Sequence, residues 1–276
     1  IGASIAPIMD TIDAALVMKR LQSIGFSEFK ANDLYGQLKG LAQTLVNLPQ
    51  VFSMALAISL VPAISDAHIR KRHKEMRNIV SSGVRMTLLI GLPCAFGLFV
   101  LGKPIIRLLY FKNSIDKLNN TGEILQILAF SVIFLTLVQS LTAILQGLGR
   151  PIIPVRNLFM GAVVKTILTY VLTGYPNINV KGAAISTVAA YLIAAVLDII
   201  SVRKYTKIKF STKEVFIMPL ISSIGMAIIA LLCHAFFSPI VGDKIATIIS
   251  ILIGMITYFI LLLRTGSLTK EDFKML

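Results

Sequence analysis

Residues 124–148 read ILQILAFSVIFLTLVQSLTAILQGL, 25 consecutive residues without one charged side chain. A helix of about 20 apolar residues, rising about 1.5 Å per residue, crosses the ~30 Å hydrocarbon core of a bilayer. The same ruler finds seven more apolar runs, at 1–18, 38–65, 84–101, 152–174, 182–202, 216–237 and 245–263. About eight transmembrane helices are therefore expected. The fold class is all-α, a polytopic membrane helix bundle. The run 38–65 holds Pro49 and Pro62 and should tilt or kink. Residues 103–111 (KPIIRLLYF) read as a short interfacial helix followed by a polar loop.

Composition agrees. Of the 276 residues, 56% are hydrophobic and 14% charged, against about 25% charged in a soluble domain. Too few ionic groups remain to cover a soluble globule, which excludes a water-soluble enzyme, a disordered chain and a disulfide scaffold. Cys94 and Cys233 both lie inside apolar runs and read as small core residues. No CxxC, HExxH, P-loop or GxGxxG pattern occurs. His68 and His73 sit in a basic loop, and His234 stands alone. We therefore expect no catalytic residues, no metal site, no cofactor and no enzyme. The first run begins at Ile1 with no signal-peptide pattern before it, so the chain is expected to be cut from something longer.

The 27 Lys and Arg outnumber the 13 Asp and Glu, and most lie between apolar runs. Such charge marks the cytoplasmic side and the anionic lipid surface rather than nucleic acid. Counted by alternating sides, sixteen fall on one side and ten on the other, with Lys165 inside a run. The richer side carries Arg70–Arg85, Arg150, Arg156, the 203–213 group and the tail. The positive-inside rule makes that side cytoplasmic, so a multi-pass cell-membrane protein with a cytoplasmic C-terminus is expected. Residues 66–80 (DAHIRKRHKEMRNIV) form the densest basic run and read equally as an amphipathic surface helix or as a solvated connector.

Ionisable groups inside a membrane need a partner, water or a role. Asp10 and Asp13 stand three apart in the first run and share a helix face. They could bind a proton or Na⁺, meet basic groups across a cavity, or lie near the membrane boundary. Lys165, in the middle of GAVVKTILTY, could attract a phosphate or pair with a carboxylate on another helix. Asp198 is explained by a boundary ion pair with Arg203 and Lys204. Gly36 and Gly40 form a lone GxxxG around Lys39. Gln43 and Asn47, one turn apart before Pro49, could glue helices or line a pathway.

The stretch YGQLKGLAQTLVNLPQVFSMALAISLVPAISDA, the basic connector after it and RMTLLIGLPCAFGLFVLGKPIIRLLYF follow in an order that resembles the polysaccharide-transporter branch of the multidrug/oligosaccharidyl-lipid/polysaccharide exporter superfamily. That branch includes the stage V sporulation protein B and MurJ flippase families. QGLGRPIIPVRN and the tail TGSLTKEDFKML fit the same pattern. The resemblance implies helices seven to fourteen of a fourteen-helix, MurJ/MATE-like transporter whose N-terminal lobe is missing. Residues 1–210 would then be a six-helix C-terminal lobe. Residues 211–276 would be a last helix pair, shaping a lipid-facing groove, plus a cytoplasmic tail. The implied cargo is an undecaprenyl-pyrophosphate-linked glycan or peptidoglycan precursor, moved by alternating access and coupled to Na⁺, H⁺ or the membrane potential. Candidate cavity residues are Asp10, Asp13, Lys39, Gln43, Asn47 and Lys165. MurJ-type sequences carry an arginine about five residues before the eighth-helix proline, where this chain has Thr44. Two rival functions remain: a cation-coupled multidrug antiporter using Asp10 and Asp13, and a non-transporting scaffold for envelope synthesis.

Overall fold

The computed structural model describes the backbone of residues 2–208, 210 and 213–265, and the side chains of 11–208, 210 and 215–265. Every regular element among the described residues is helical. In chain order they are α1 (Gly2–Ser23), α2 (Glu28–Gly36), a π-helical stretch (Gln37–Ala42), α3 (Gln43–Ile69), α4 (His73–Leu109), α5 (Ile115–Gly147), α6 (Ile152–Leu172), α7 (Lys181–Thr206), a π turn (Lys213–Ile217), α8 (Met218–Val241) and α9 (Asp243–Thr265). From Glu28 to Ile69 the chain is one helical unit of 42 residues. That unit and the six long helices after it, with α8 extended back to Val215, make seven elements among the described residues long and apolar enough to cross a membrane. With the 22-residue α1 there are eight long units, as the apolar runs imply.

Local chemistry sets several ends. Ser27 accepts a hydrogen bond from the Lys30 backbone N–H and starts α2. Lys207 closes α7 in the left-handed region at φ 53°. Two local expectations are corrected. Residues 103–111 are not a separate interfacial helix: α4 runs unbroken to Leu109 over 37 residues, with Pro93 and Pro104 inside it. Nor are residues 66–80 one amphipathic helix. They are the last turn of α3, a reversal at Arg70–Arg72 with Lys71 at φ 55°, and the first turns of α4. Met76 and Val80 are buried beside Leu60 and Ile64, so their apolar spacing serves the bundle core and not a lipid surface.

The centre of the bundle is α5, which packs on α3, α4 and α7. Leu125, Leu128, Leu141, Ile144 and Leu145 along it are fully buried. Gly91 of α4 faces Thr136 while Gly102 faces Gly122, so α4 and α5 run antiparallel. Outside, the bundle is apolar: Ile167 on α6, Leu232 and Phe236 on α8 and Ile256 on α9 are each more than half exposed. A helix bundle bathed in hydrocarbon requires that surface. The last pair, α8 and α9, pack on each other and against α4.

Helix α6 meets α7 at very short range. A Cβ added at Gly161 would stand 2.6 Å from the Ala190 carbonyl oxygen. Gly161→Val must push the two backbones apart, with an overpacking cost of about 1–3 kcal/mol or more. A lower midpoint of thermal unfolding in detergent is expected, while Gly36→Ala, where a Cβ meets nothing within 4 Å, should leave it unchanged. The open space at Gly36 and Gly40 also means that this GxxxG is not a packing seam.

Candidate functional site

Three of the candidate residues, far apart in sequence, meet at one point. The Lys165 ammonium on α6 donates to Asp13 Oδ2 on α1 at 2.9 Å. Lys39 Nζ, from the π-helical stretch, lies 3.6 Å from the same oxygen. Asp13 is 6% exposed and Lys165 15%, so the pair is largely removed from solvent. Burial of an ion pair demands close geometry, because each charge loses its hydration. The widened π turn presents Lys39 to α1, and such irregular turns recur at functional sites. Asp10, one turn earlier on α1, has its side chain outside the described residues.

From Lys39 a polar stripe continues along α3. Gln43 Nε2 donates to Asn47 Oδ1 at 3.2 Å, and Gln50 follows seven residues after Gln43, on the same helix face. Gln43 is half-buried and Asn47 exposed, so the two amides bond to each other and do not glue α3 to a neighbour. Gln50 enters a cleft of about 430 Å³ between α3, α5, α6 and α7. Gln139, Thr142 and Gln146 of α5 and Tyr191 of α7 supply its other polar groups. Gln139 Oε1 is buried with no hydrogen-bond partner among the described residues. Sequence reasoning missed these four. The signal was the spacing of Gln139, Thr142 and Gln146, which puts amides and a hydroxyl on one face of a helix otherwise built of leucine and isoleucine.

The opposite side of α3 is different. Leu45, Leu48 and Pro49 form one wall of a groove of about 480 Å³ shared with α4, α8 and α9. Cys94 and Gly97 of α4, Met226 of α8 and Gly254 and Phe259 of α9 complete it. Almost all of this lining is hydrocarbon. Helix α3 thus separates a cleft that sets a few amides and hydroxyls into an otherwise apolar lining from a groove of almost pure hydrocarbon. Tyr258 fastens α9 to α4 by donating to the Leu89 carbonyl at 2.7 Å.

Two other residues resolve simply. Thr44 donates to the Gly40 carbonyl at 2.9 Å and offers no charge, so Lys39 and Lys165 are the cations nearest the stripe's start. Asp198 does not form the boundary ion pair expected for it. It is 1% exposed and accepts a 2.8 Å hydrogen bond from Asn157 Nδ2 on α6. Five and six residues along a helix turn to the far side, so Arg203 and Lys204 point outward while Asp198 faces α6.

The chain resembles known proteins along most of its length. The family model described as "Lipid II flippase MurJ" matches residues 40–255. The chain is 29% identical over 245 residues to the uncharacterized membrane protein YabM of Bacillus subtilis (strain 168), covering 85% of this chain and 44% of that protein. It is 28% identical over 199 residues to stage V sporulation protein B of the same organism, covering 72% of this chain and 37% of the relative. The chain therefore spans less than half the length of these curated relatives. A solved structure titled "Lipid II flippase MurJ, inward closed conformation" superposes with a TM-score of 0.71 at 18% identity, over 92% of this chain and half of that one. That last likeness establishes a shared fold.

Proposed function

Because the chain belongs to the lipid II flippase MurJ family, we propose that it carries one lobe of a flippase for a lipid-linked envelope precursor. Residues 1–210 form the six-helix lobe, and 211–276 the last helix pair and tail. An N-terminal lobe faces it across the transport path. The single observation that carries this reading is the partition by α3. An amphiphile with a charged, sugar-bearing head and a long hydrocarbon tail needs a polar path beside an apolar one. The stripe of polar side chains on α3 begins where Lys39 and Lys165 gather around Asp13 and leads through Gln43 and Asn47 to the cleft at Gln50, and the groove lies behind the same helix.

In this mechanism Asp13 holds the two ammonium groups when no cargo is present. A pyrophosphate brings more negative charge than one carboxylate and takes the lysines from it, so cargo binding loosens the contact between α1, α6 and the π-helical stretch. The two lobes then rock about the bound head group, and the tail stays in the groove throughout. No covalent step is needed. The bias of Lys and Arg supports an orientation with the Arg70–Arg72 turn and the C-terminus on the cytoplasmic side. A multidrug antiporter using Asp13 as its cation site is disfavoured, because lysine ammonium groups already occupy that oxygen.

The test is native mass spectrometry of the full-length protein offered lipid II, undecaprenyl pyrophosphate and a cationic drug. Selective retention of the pyrophosphate lipids, weakened about tenfold or more by Lys39→Gln/Lys165→Gln, is the expected result. Drug retention that requires Asp13 would move the assignment to an antiporter. No selective ligand would favour a scaffold.

A further inference from the structure

On the outer wall of the bundle, away from the cleft and the apolar groove, three charges meet at one height. Glu123 of α5 accepts from Lys103 of α4 at 3.0 Å through one oxygen and from Lys181 of α7 at 2.6 Å through the other. All three are partly exposed. Each stands within two residues of the end of an apolar run, so together they mark the membrane boundary at the end of the bundle opposite the Arg70–Arg72 turn. Below them opens a lateral groove of about 630 Å³ whose walls include Phe99, Ile127, Phe130, Ile185, Val188 and Leu192. Phe99 and Phe130, their ring centroids 5.0 Å apart and their planes tilted by 52°, form part of its lining. Gln126, also at the groove, spends its amide on the Phe99 carbonyl.

We propose that this groove is a binding site for an anionic phospholipid of the adjacent leaflet, its phosphate shared between Lys103 and Lys181 and one acyl chain laid along the wall. Two features select that occupant. The cluster carries two positive charges against one negative, which leaves a positive surplus for a phosphate at the boundary. From Lys181 to Leu192 is eleven residues of α7, or about 16 Å of helix, against about 15 Å for one leaflet of the hydrocarbon core. The groove therefore ends where a leaflet ends. A zwitterionic lipid fits the same wall but brings a cation of its own to the two lysines. Glu123 positions both ammonium groups and also competes with the phosphate for them.

The experiment embeds the purified protein in mixed phosphatidylglycerol and phosphatidylcholine of identical chains and reads co-retained lipid by native mass spectrometry. Phosphatidylglycerol is expected in excess over its bulk fraction. Lys103→Gln/Lys181→Gln should lower that enrichment about tenfold, Glu123→Gln should raise it, and Val188→Trp should abolish it by filling the wall. Arg70→Gln/Arg72→Gln, at the other end of the bundle, should leave it unchanged. Equal enrichment in all variants, or an equal loss in the Arg70/Arg72 control, would overturn the site. If the double lysine variant fails to fold, the opposite responses of Glu123→Gln and Val188→Trp decide the matter.

Discussion

Lys165→Met should destabilise the bundle, and adding Asp13→Asn should restore most of what was lost. Removing one partner of a buried ion pair typically costs about 3–5 kcal/mol, because the remaining charge keeps its burial and loses its counterion. Here the cost should lie toward the lower end, since Lys39 is already 3.6 Å from the same Asp13 oxygen. The double variant has neither a buried carboxylate at residue 13 nor an ammonium at residue 165, so the desolvation penalty disappears with the attraction. Thermal unfolding in detergent of the two single variants and the double measures this as a cycle. Transport gives the contrasting readout. If the lysines hold a pyrophosphate, the double variant recovers stability and not activity. Recovery of both would make the pair a structural clasp between α1 and α6.

Gly97→Phe should abolish flipping while sparing recognition of the head group. Gly97 lines the apolar groove, and a Cβ there comes no closer than 3.8 Å to its nearest neighbour, the Met226 methyl carbon. The ring would therefore enter the groove without a backbone clash and occupy a good part of its 480 Å³. A long hydrocarbon tail loses its seat, whereas a water-soluble pyrophosphate sugar uses only the cleft across α3. The expected pattern is transport reduced at least about a hundredfold, some 2.7 kcal/mol in a rate barrier, with unchanged binding of the soluble analogue. Leu232→Phe, on the lipid-facing side of α8 where the side chain is 63% exposed, is the control and should transport normally. Full activity in Gly97→Phe would show that the tail travels elsewhere.

Both predictions rest on contacts of very different legibility. Lys165 and Asp13 each stood out in the sequence, because a charge inside an apolar run is costly wherever it lies. Their meeting did not stand out, since they are 152 residues apart and nothing local in either helix names the other. Gln43 and Asn47 were visible as a one-turn amide pair, and their mutual bond is the local event that such spacing allows. Gln139, Thr142 and Gln146 share a face in plain view, yet only the approach of α3 and α7 turns that face into a cleft. Asp198 shows the reverse error: nearness in sequence suggested Arg203 and Lys204, and helix rotation sent them to the other side.

The count of long helices follows from the sequence alone, because a bilayer of fixed thickness demands a fixed length of predominantly apolar residues and the chain supplies that length eight times. The all-α class follows too, since a lipid-exposed backbone must satisfy its own hydrogen bonds. Tertiary structure decided the rest. It joined residues 103–109 to α4, because Pro104 is tolerated where neighbours pack around it. It broke residues 66–80 at Lys71, because Met76 and Val80 are buried against the far end of α3. And it gave α3 two unlike faces, one carrying Gln43, Asn47 and Gln50 among apolar side chains, the other wholly apolar toward α8 and α9. Hydropathy averages over a helix's circumference, and only the positions of its neighbours assign each side of that circumference a task.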